Sequence, residues 1–490
     1  MYYPDIQEFK QKARQGNLVP VYREMLADML TPVSAFLKID SGRYSFLLES
    51  VEGGEKWARY SFLGADPSVI VRTSGNKGFI EKKGSTEERE LTGDPIEFLK
   101  EAMGQYRPVP VEGLPRFFGG AVGYAGYDVV GFLENIGTKE KPGVDCPDLF
   151  FMLTDTLLIF DNVAQKIKVV ANAHVGDAGP EAAYEEAKIK IDALVETLKG
   201  KPPKRKKPRA RITGKLKSSF TKKNFENAVR AAKEYIKAGD IFQVVLSQRF
   251  EEKATIDPFD VYRALRVVNP SPYMFYLNCG DFILSGSSPE VMVRVEGRRI
   301  DLRPIAGTRK RGATEEEDEA LSKELLADPK ECAEHIMLVD LGRNDVGRVS
   351  KPGRVAVNEL MVIEKYSHVM HIVSNVRGEL SDSMDSYDVM KACFPAGTVS
   401  GSPKIRAMQI IEELEPTRRG PYAGAVGYFS FTGNMDTCIT IRTLLFKDGK
   451  VYVQAGAGLV ADSVPEQEYI ETVNKAAAMM KALEMAEKGL

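Results

Sequence analysis

The chain has 490 residues, 43% hydrophobic and 28% charged, with 67 basic against 69 acidic side chains and a formal net charge of -2. That is the composition of an ordinary globular protein of roughly two to four domains, and it excludes disordered, collagenous and small disulfide-stapled classes. A balanced charge supplies no global field for nucleic acid or anionic membrane, so any anionic ligand has to be met by local donors.

The N-terminal residues lack a signal-peptide run and no apolar stretch reaches the ~18 residues of a spanning helix, so a cytoplasmic location without membrane contact is expected. The five cysteines, Cys146, Cys279, Cys332, Cys393 and Cys438, show no C-x-x-C spacing and predict neither disulfides nor a zinc site. They read as small apolar side chains.

In chain order, Glu181 to Leu198 is an amphipathic helical run. It is followed by GKPPKRKKPRAR at Gly200 to Arg211, with seven basic residues and no aromatic between them. This reads as an exposed basic linker over 201-212, dividing a region 1-200 from a region 213-490, and not as a nucleic-acid patch. Neither region alternates strand and helix regularly, which predicts an α+β fold with antiparallel strands. A hairpin is expected where Thr440 to Phe446 and Lys450 to Gln454 flank Asp448-Gly449. The segment GAVGY occurs twice, at Gly120 to Tyr124 and at Gly424 to Tyr428.

Ala313 to Leu341 predicts a helix with an acidic first turn, broken and restarted at Asp328-Pro329. A last helix is expected from a capping box at Ser463 with Glu466. These two helical regions carry Glu331 with Glu334 and Glu468 with Glu471. Residues three apart share a helix face, so each pair aims two hard oxygen donors the same way, as a Mg²⁺ site would need. E-x-x-E is also a common solvated spacing, and a metal is the less frequent reading of it alone. Glycine-rich segments PIAGTRKRG, PAGTVSGSPK and QAGAG match neither a phosphate loop nor a dinucleotide turn. Of four histidines, His368 and His371 lie three apart in YSHVMH.

The ordered segments IFQVVLSQRF, NPSPYMFYL, SGSSPE, LRPIAGTRKRG, KECAEHIMLVDLGRNDVGRV, YSHVMH, FPAGTVSGSPKIRAM and QAGAGLVADS resemble the chorismate-utilising enzymes, and within them the anthranilate synthase component I group. The resemblance covers Thr213 to Leu490 densely and the first region through LLES and RYSFLG. It implies two large, mostly antiparallel sheets packed together and flanked by helices, with a tryptophan-binding region at 1-200 and a catalytic region at 213-490. It further implies that chorismate and ammonia yield anthranilate and pyruvate on the route to tryptophan.

Carried onto this sequence, the resemblance makes Glu334 and Glu471 direct Mg²⁺ ligands, with Glu331 and Glu468 holding metal-bound water. Glu290 becomes the general acid and His368 assists elimination, with His371 left structural. Gly307, Thr308, Thr398, Tyr422, Arg442, Gly456, Gly458 and Lys475 hold substrate; Thr308 and Gln243 join the catalytic set. Water-using relatives carry a lysine where Gln243 stands, and aminodeoxychorismate-forming relatives carry one where Ala306 stands, so an external amine is the expected nucleophile. No G-x-C-x-G glutaminase turn occurs, which implies a separate glutamine amidotransferase subunit (component II). Glu49, Ser50, Arg59, Pro272, Tyr273 and Met274 form the implied inhibitory tryptophan site. Aminodeoxychorismate synthase component I and a catalytically silent regulatory subunit are the competing readings.

Overall fold

The protein is described here by a computed structural model covering residues 1-50, 59-202, 211-214, 216-366 and 369-489. Two large sheets carry the architecture. The first runs, in spatial order, through Leu18–Leu26, Lys166–His174, Thr156–Asp161, Tyr60–Ala65, Ser45–Glu49, Tyr273–Asn278, Phe282–Ser288, Thr443–Lys447, Lys450–Leu459 and Gln243–Thr255. The second runs from Ile305–Lys310 through Val369–Leu380, Arg299–Leu302, Val291–Glu296, Met435–Ile439, Ala425–Ser430, Gly120–Ala125 and Leu149–Thr154 to the strands from Val69 to Glu90. Every neighbouring pair in these two paths is antiparallel, as the irregular strand and helix order predicts.

The 201-212 stretch divides the chain in sequence but not in space. Ser45–Glu49 pairs with Tyr273–Asn278 in one sheet, and Gly120–Ala125 pairs with Ala425–Ser430 in the other, so both sheets are built from both regions. Most of the basic run, residues 203-210, lies outside the described residues.

The two GAVGY copies explain the second junction. They lie antiparallel to each other with Gly123 opposite Gly427 and Tyr124 opposite Val426. A Cβ on Gly123 would fall 1.9 Å from the Phe150 carbonyl oxygen, and one on Gly427 would fall 2.1 Å from that of Asp436. Backbone is packed where those side chains would sit, so larger residues would force the strands apart.

The predicted hairpin forms as Thr443–Lys447 and Lys450–Leu459, with Asp448 and Gly449 at φ 50° and 68° as a two-residue turn of this hand requires. The helical break is also as expected: Glu315–Ala327 ends and Pro329–Gly347 begins around Asp328, whose side chain caps the backbone N–H groups of Lys330 and Glu331. The expected cap on the last helix is not formed. Pro465–Lys488 starts after Val464, and Ser463 Oγ instead accepts from Val460 N–H at 3.1 Å. The hydroxyl closes the preceding turn and reaches the Glu468 carboxylate instead of the helix's first N–H groups.

All five cysteines are free thiols; Cys279, Cys393 and Cys438 are buried, while Cys146 and Cys332 are partly exposed. Among the described residues no helix is long and apolar enough to cross a membrane.

Candidate active site

A cavity of about 1110 Å³ lies between the strand Lys450–Leu459, the helix Pro465–Lys488 and the strand Ile305–Lys310. Its wall includes Glu290, Thr308, Thr398, Tyr422, Arg442, Gly456, Gly458, Glu471 and Lys475. Residues more than 180 positions apart in the chain thus share one chamber, which is what their expected common role requires.

Glu290 is 8% exposed, two residues beyond the end of the strand Phe282–Ser288. Burial pushes its carboxyl up to about 8, although the neighbouring Thr398 hydroxyl and Arg442 guanidinium pull the other way. Near neutral pH it therefore holds a proton that it can give away. Arg442 stands beside it in the left-handed backbone region, φ 50°, and donates to Asn269 Oδ1 at 3.5 Å. Its backbone carbonyl accepts from Ser287 N–H, so the strained turn is held from both ends.

Two glycines open the floor of the chamber. A Cβ on Gly456 would meet the Tyr422 hydroxyl at 2.8 Å, and a Cβ on Gly458 would meet Gln243 Nε2 at 2.8 Å. Lys475 Nζ donates to the Gly456 carbonyl at 3.0 Å and pairs with Glu471 at 2.7 Å.

His371 lines this cavity, whereas His368 lies outside the described residues. In the register of the pair, His371 sits opposite Thr308. Its Nδ1 is 3.0 Å from the Gly307 carbonyl oxygen and 3.0 Å from Thr308 Oγ1. A carbonyl only accepts, so Nδ1 carries the proton and Nε2 keeps its lone pair. Burial lowers the ring's proton affinity, and Arg442 lowers it further. A neutral ring in this tautomer has a lone pair at Nε2 and the chemistry of a base, which is more than the structural part expected of His371 from the sequence would need. Gly307 itself, at φ 67°, contributes its carbonyl.

Of the four glutamates only Glu471 lines the chamber; Glu334, bonded to Gln243, and Glu468 stand near enough to feel its charge. Gln243 Nε2 donates to Glu334 Oε1 at 3.1 Å, while its own Oε1 is buried without a hydrogen-bond partner. Burial raises the Glu334 carboxyl, and the nearby Glu331 and Glu471 charges raise it further. Glu468 is raised by burial and then by Glu471. Glu331 is turned to Arg309 at 3.3 Å. Among the described residues, no three His, Cys, Asp or Glu side chains are gathered closely enough as placed to hold a metal ion. The donor set still fits one in kind: carboxylates that raise one another's proton affinity, with Arg309 and Lys475 as their cationic partners, are hard oxygen ligands suited to Mg²⁺.

A second, smaller cavity, about 70 Å³, is lined by Glu49, Ser50, Pro272, Tyr273 and Met274. Glu49 is buried and accepts from Tyr262, with Arg266 Nε at 3.1 Å. Arg59 does not line it. Its guanidinium makes a bidentate pair with Asp161, 2.8 Å at the shorter contact, while the next residue, Tyr60, lines the cavity. In its place the cavity takes Arg116 and Arg294, both bonded to Asp436 at 2.9 and 2.7 Å. Arg294 and Asp436 lie on strands and Arg116 in the segment before Gly120–Ala125, with no shared motif, so only the folded sheet reveals them. Pro272 lines both cavities.

A family model for chorismate binding enzymes matches residues 45–481. The chain belongs to the chorismate-binding enzyme family. It is 51% identical over 496 residues to "Anthranilate synthase component 1" of Acetivibrio thermocellus, covering 99% of both chains. The protein of the same name from Aquifex aeolicus is 52% identical over 489 residues, covering 99% of this chain and 98% of its own. Among solved structures, anthranilate synthase component I from Streptococcus pneumoniae superposes with a TM-score of 0.77 at 38% identity, covering 93% of this chain and 98% of the other.

Proposed function

We propose that the chain is the chorismate-transforming component of an anthranilate synthase, taking chorismate and ammonia to anthranilate, pyruvate and water. The observation that carries this reading is the pairing of a proton-holding Glu290 with an amide at 243 and a methyl at 306. The two positions where relatives place an attacking or water-activating lysine have neither here.

Glu290 gives its proton to the departing C4 hydroxyl, which leaves as water while ammonia bonds to C2. Arg442, with a planar fork matched to a carboxylate, and the Tyr422 hydroxyl orient the enolpyruvyl side, and the open floor at Gly456 and Gly458 admits the ring without a Cβ clash. In the second stage His371 Nε2 takes the C2 proton. The electron pair forms the aromatic ring as the C3–O bond breaks, and the enolpyruvyl fragment departs as pyruvate. Thr308 and the Gly307 carbonyl hold His371 in the tautomer this needs. Thr398 stands beside the acid.

Glu334 and Glu471 would hold Mg²⁺ directly, with Glu331 and Glu468 behind them. When bound, the ion supplies charge neutralisation and a template for the ring carboxylate. Gln243 fixes Glu334 and offers an acceptor to an incoming amine. A glutamine amidotransferase partner supplies that amine, and tryptophan closes the smaller cavity, with Pro272 as the wall through which the chamber feels it. The alternative products of the aminodeoxychorismate branch are disfavoured by Ala306 at the cavity wall.

Anthranilate fluorescence tests the reading. The isolated chain is expected to form the product with ammonium and to form none with glutamine until a component II protein is added. Glutamine-dependent product from the isolated chain would overturn the division of labour.

A further inference from the structure

Arg309, Lys310 and Arg311 are consecutive at the end of the strand Ile305–Lys310. Successive side chains of a strand leave opposite faces, so the middle residue of such a triplet must part from its neighbours. Arg309 turns to the helical side, where it bonds Glu324 and Asp328 at 3.1 Å each and Glu331 at 3.3 Å. Arg311 joins Asp318 on that side and donates to the Tyr366 carbonyl at 2.6 Å.

Lys310 goes the other way. It lines the large cavity with Thr308 and Ala306, and it is exposed. Lys475, across the chamber, is paired with Glu471, and Arg442 is buried against Glu290 and Asn269. Among the described residues Lys310 has no carboxylate within ion-pair distance. It is thus a cation on the cavity wall whose charge is not already spent.

The ligand that needs it is a dianion. Chorismate carries two carboxylates, the chain's net charge is -2, and Glu471 stands on the same cavity wall with Glu334 and Glu468 near enough to feel its charge. An approaching dianion meets repulsion there and no compensating field from the protein as a whole. A single exposed cation acts over about a Debye length, roughly 8–10 Å at ordinary salt, far enough to reach a ligand before it makes contact.

We propose that Lys310 is a capture residue for the dianionic substrate, drawing a carboxylate of chorismate into the cavity and setting kcat/KM while the chemical step is left to others. The proposal rests on the chorismate reading of the chamber. Lys310 sits where neither proton transfer at Glu290 nor that at His371 requires it, so its contribution ends when the substrate is seated.

The test compares the full-length chain with Lys310→Gln, Lys310→Arg and Lys310→Glu. Chorismate binding is measured by calorimetry, and ammonia-dependent kcat and KM are measured at low and high ionic strength. Lys310→Gln is expected to lower kcat/KM roughly threefold to tenfold at low salt, mainly through KM, and to flatten its salt dependence. Lys310→Glu loses more, and Lys310→Arg restores most of the loss. Wild-type affinity and salt slope in Lys310→Gln would overturn the proposal while leaving the chorismate reading intact. So would a loss confined to kcat. Absence of chorismate binding by the wild type would instead remove the reading itself, and the proposal with it.

Discussion

Gln243 Nε2 donates to Glu334 Oε1 at 3.1 Å, joining the first residue of the strand Gln243–Thr255 to a carboxylate on the helix Pro329–Gly347. The bond makes one side chain answer for two properties, the position of an expected metal ligand and the kind of nucleophile the site admits. Replacing Gln243 by Lys puts an ammonium beside Glu334, which forms an ion pair that competes with a metal. Ammonia-dependent activity should fall at least tenfold, with a higher Mg²⁺ requirement. Steady-state rates across a Mg²⁺ titration check this, and an unchanged requirement would contradict it.

The glutamates make a separate prediction. Glu334 is raised by burial and by its acidic neighbours, so the metal-free protein bears a repulsion that Glu334→Gln relieves. The variant should lose roughly a hundredfold or more in activity, yet melt at the same temperature as wild type or higher without Mg²⁺, and show no Mg²⁺-induced rise. Thermal melts with and without Mg²⁺ decide it. A wild-type Mg²⁺ shift in Glu334→Gln would remove Glu334 from the ligand set.

Glu290 gives a pH prediction with a definite sign. Its folded value of about 8 lies above the ordinary 4.5, so between those values the native state holds a proton that the unfolded chain has lost. This contribution to stability is therefore full below about 4.5 and is lost as pH rises toward about 8. Glu290→Gln should flatten that slope in denaturant titrations. The same proton is the acid of catalysis, so wild-type kcat at constant free ammonia should decline above about 8, and the Gln variant should lose roughly a hundredfold or more. A wild-type rate in Glu290→Gln would refute the acid role.

His371 and His368 separate cleanly. His371→Met should slow pyruvate release and let the aminated intermediate accumulate, because the Nε2 base is gone while Glu290 remains. His368→Met should retain more activity than His371→Met. Quenched-flow chromatography of the intermediate distinguishes them, and the reverse order would return the role to His368.

In the smaller cavity, Ser50→Phe should abolish tryptophan inhibition while ammonia-dependent activity persists. Arg59→Ala should leave inhibition intact, since Arg59 is committed to Asp161. Inhibition curves on both variants check the pair, and loss of inhibition in Arg59→Ala would restore it to the site.

Much of this site was legible because its residues sit in compact local motifs. Glu290, Arg442, Gly456 and Gly458 lie in short segments that carry the family resemblance, and the fold puts all four on one cavity wall. The carboxylate pairs follow from helical spacing, and the Asp328 break from one proline. What escaped depends on pairing between distant strands. His371 faces Thr308 only because a register shift falls between Ala306 and Thr308, and no local pattern encodes that. That Arg59 is held by Asp161 and does not line the smaller cavity depends on the distant strand Thr156–Asp161. Lys310 looked like one basic residue among three until strand alternation was combined with the acids of the neighbouring helices. The joining of the two regions through Gly123 and Gly427 was visible as a repeat, but that the copies pair with each other is a property of the folded sheet.

The central claim is the choice of product, and one measurement tests it most directly: chromatographic identification of everything the purified chain makes from chorismate, Mg²⁺ and ammonium, with pyruvate assayed alongside. Gln243 and Ala306 in place of lysines, Glu290 protonated and His371 neutral predict anthranilate and pyruvate in equal amounts, with essentially no isochorismate. Isochorismate as the main product, or aminodeoxychorismate without pyruvate, would contradict the account.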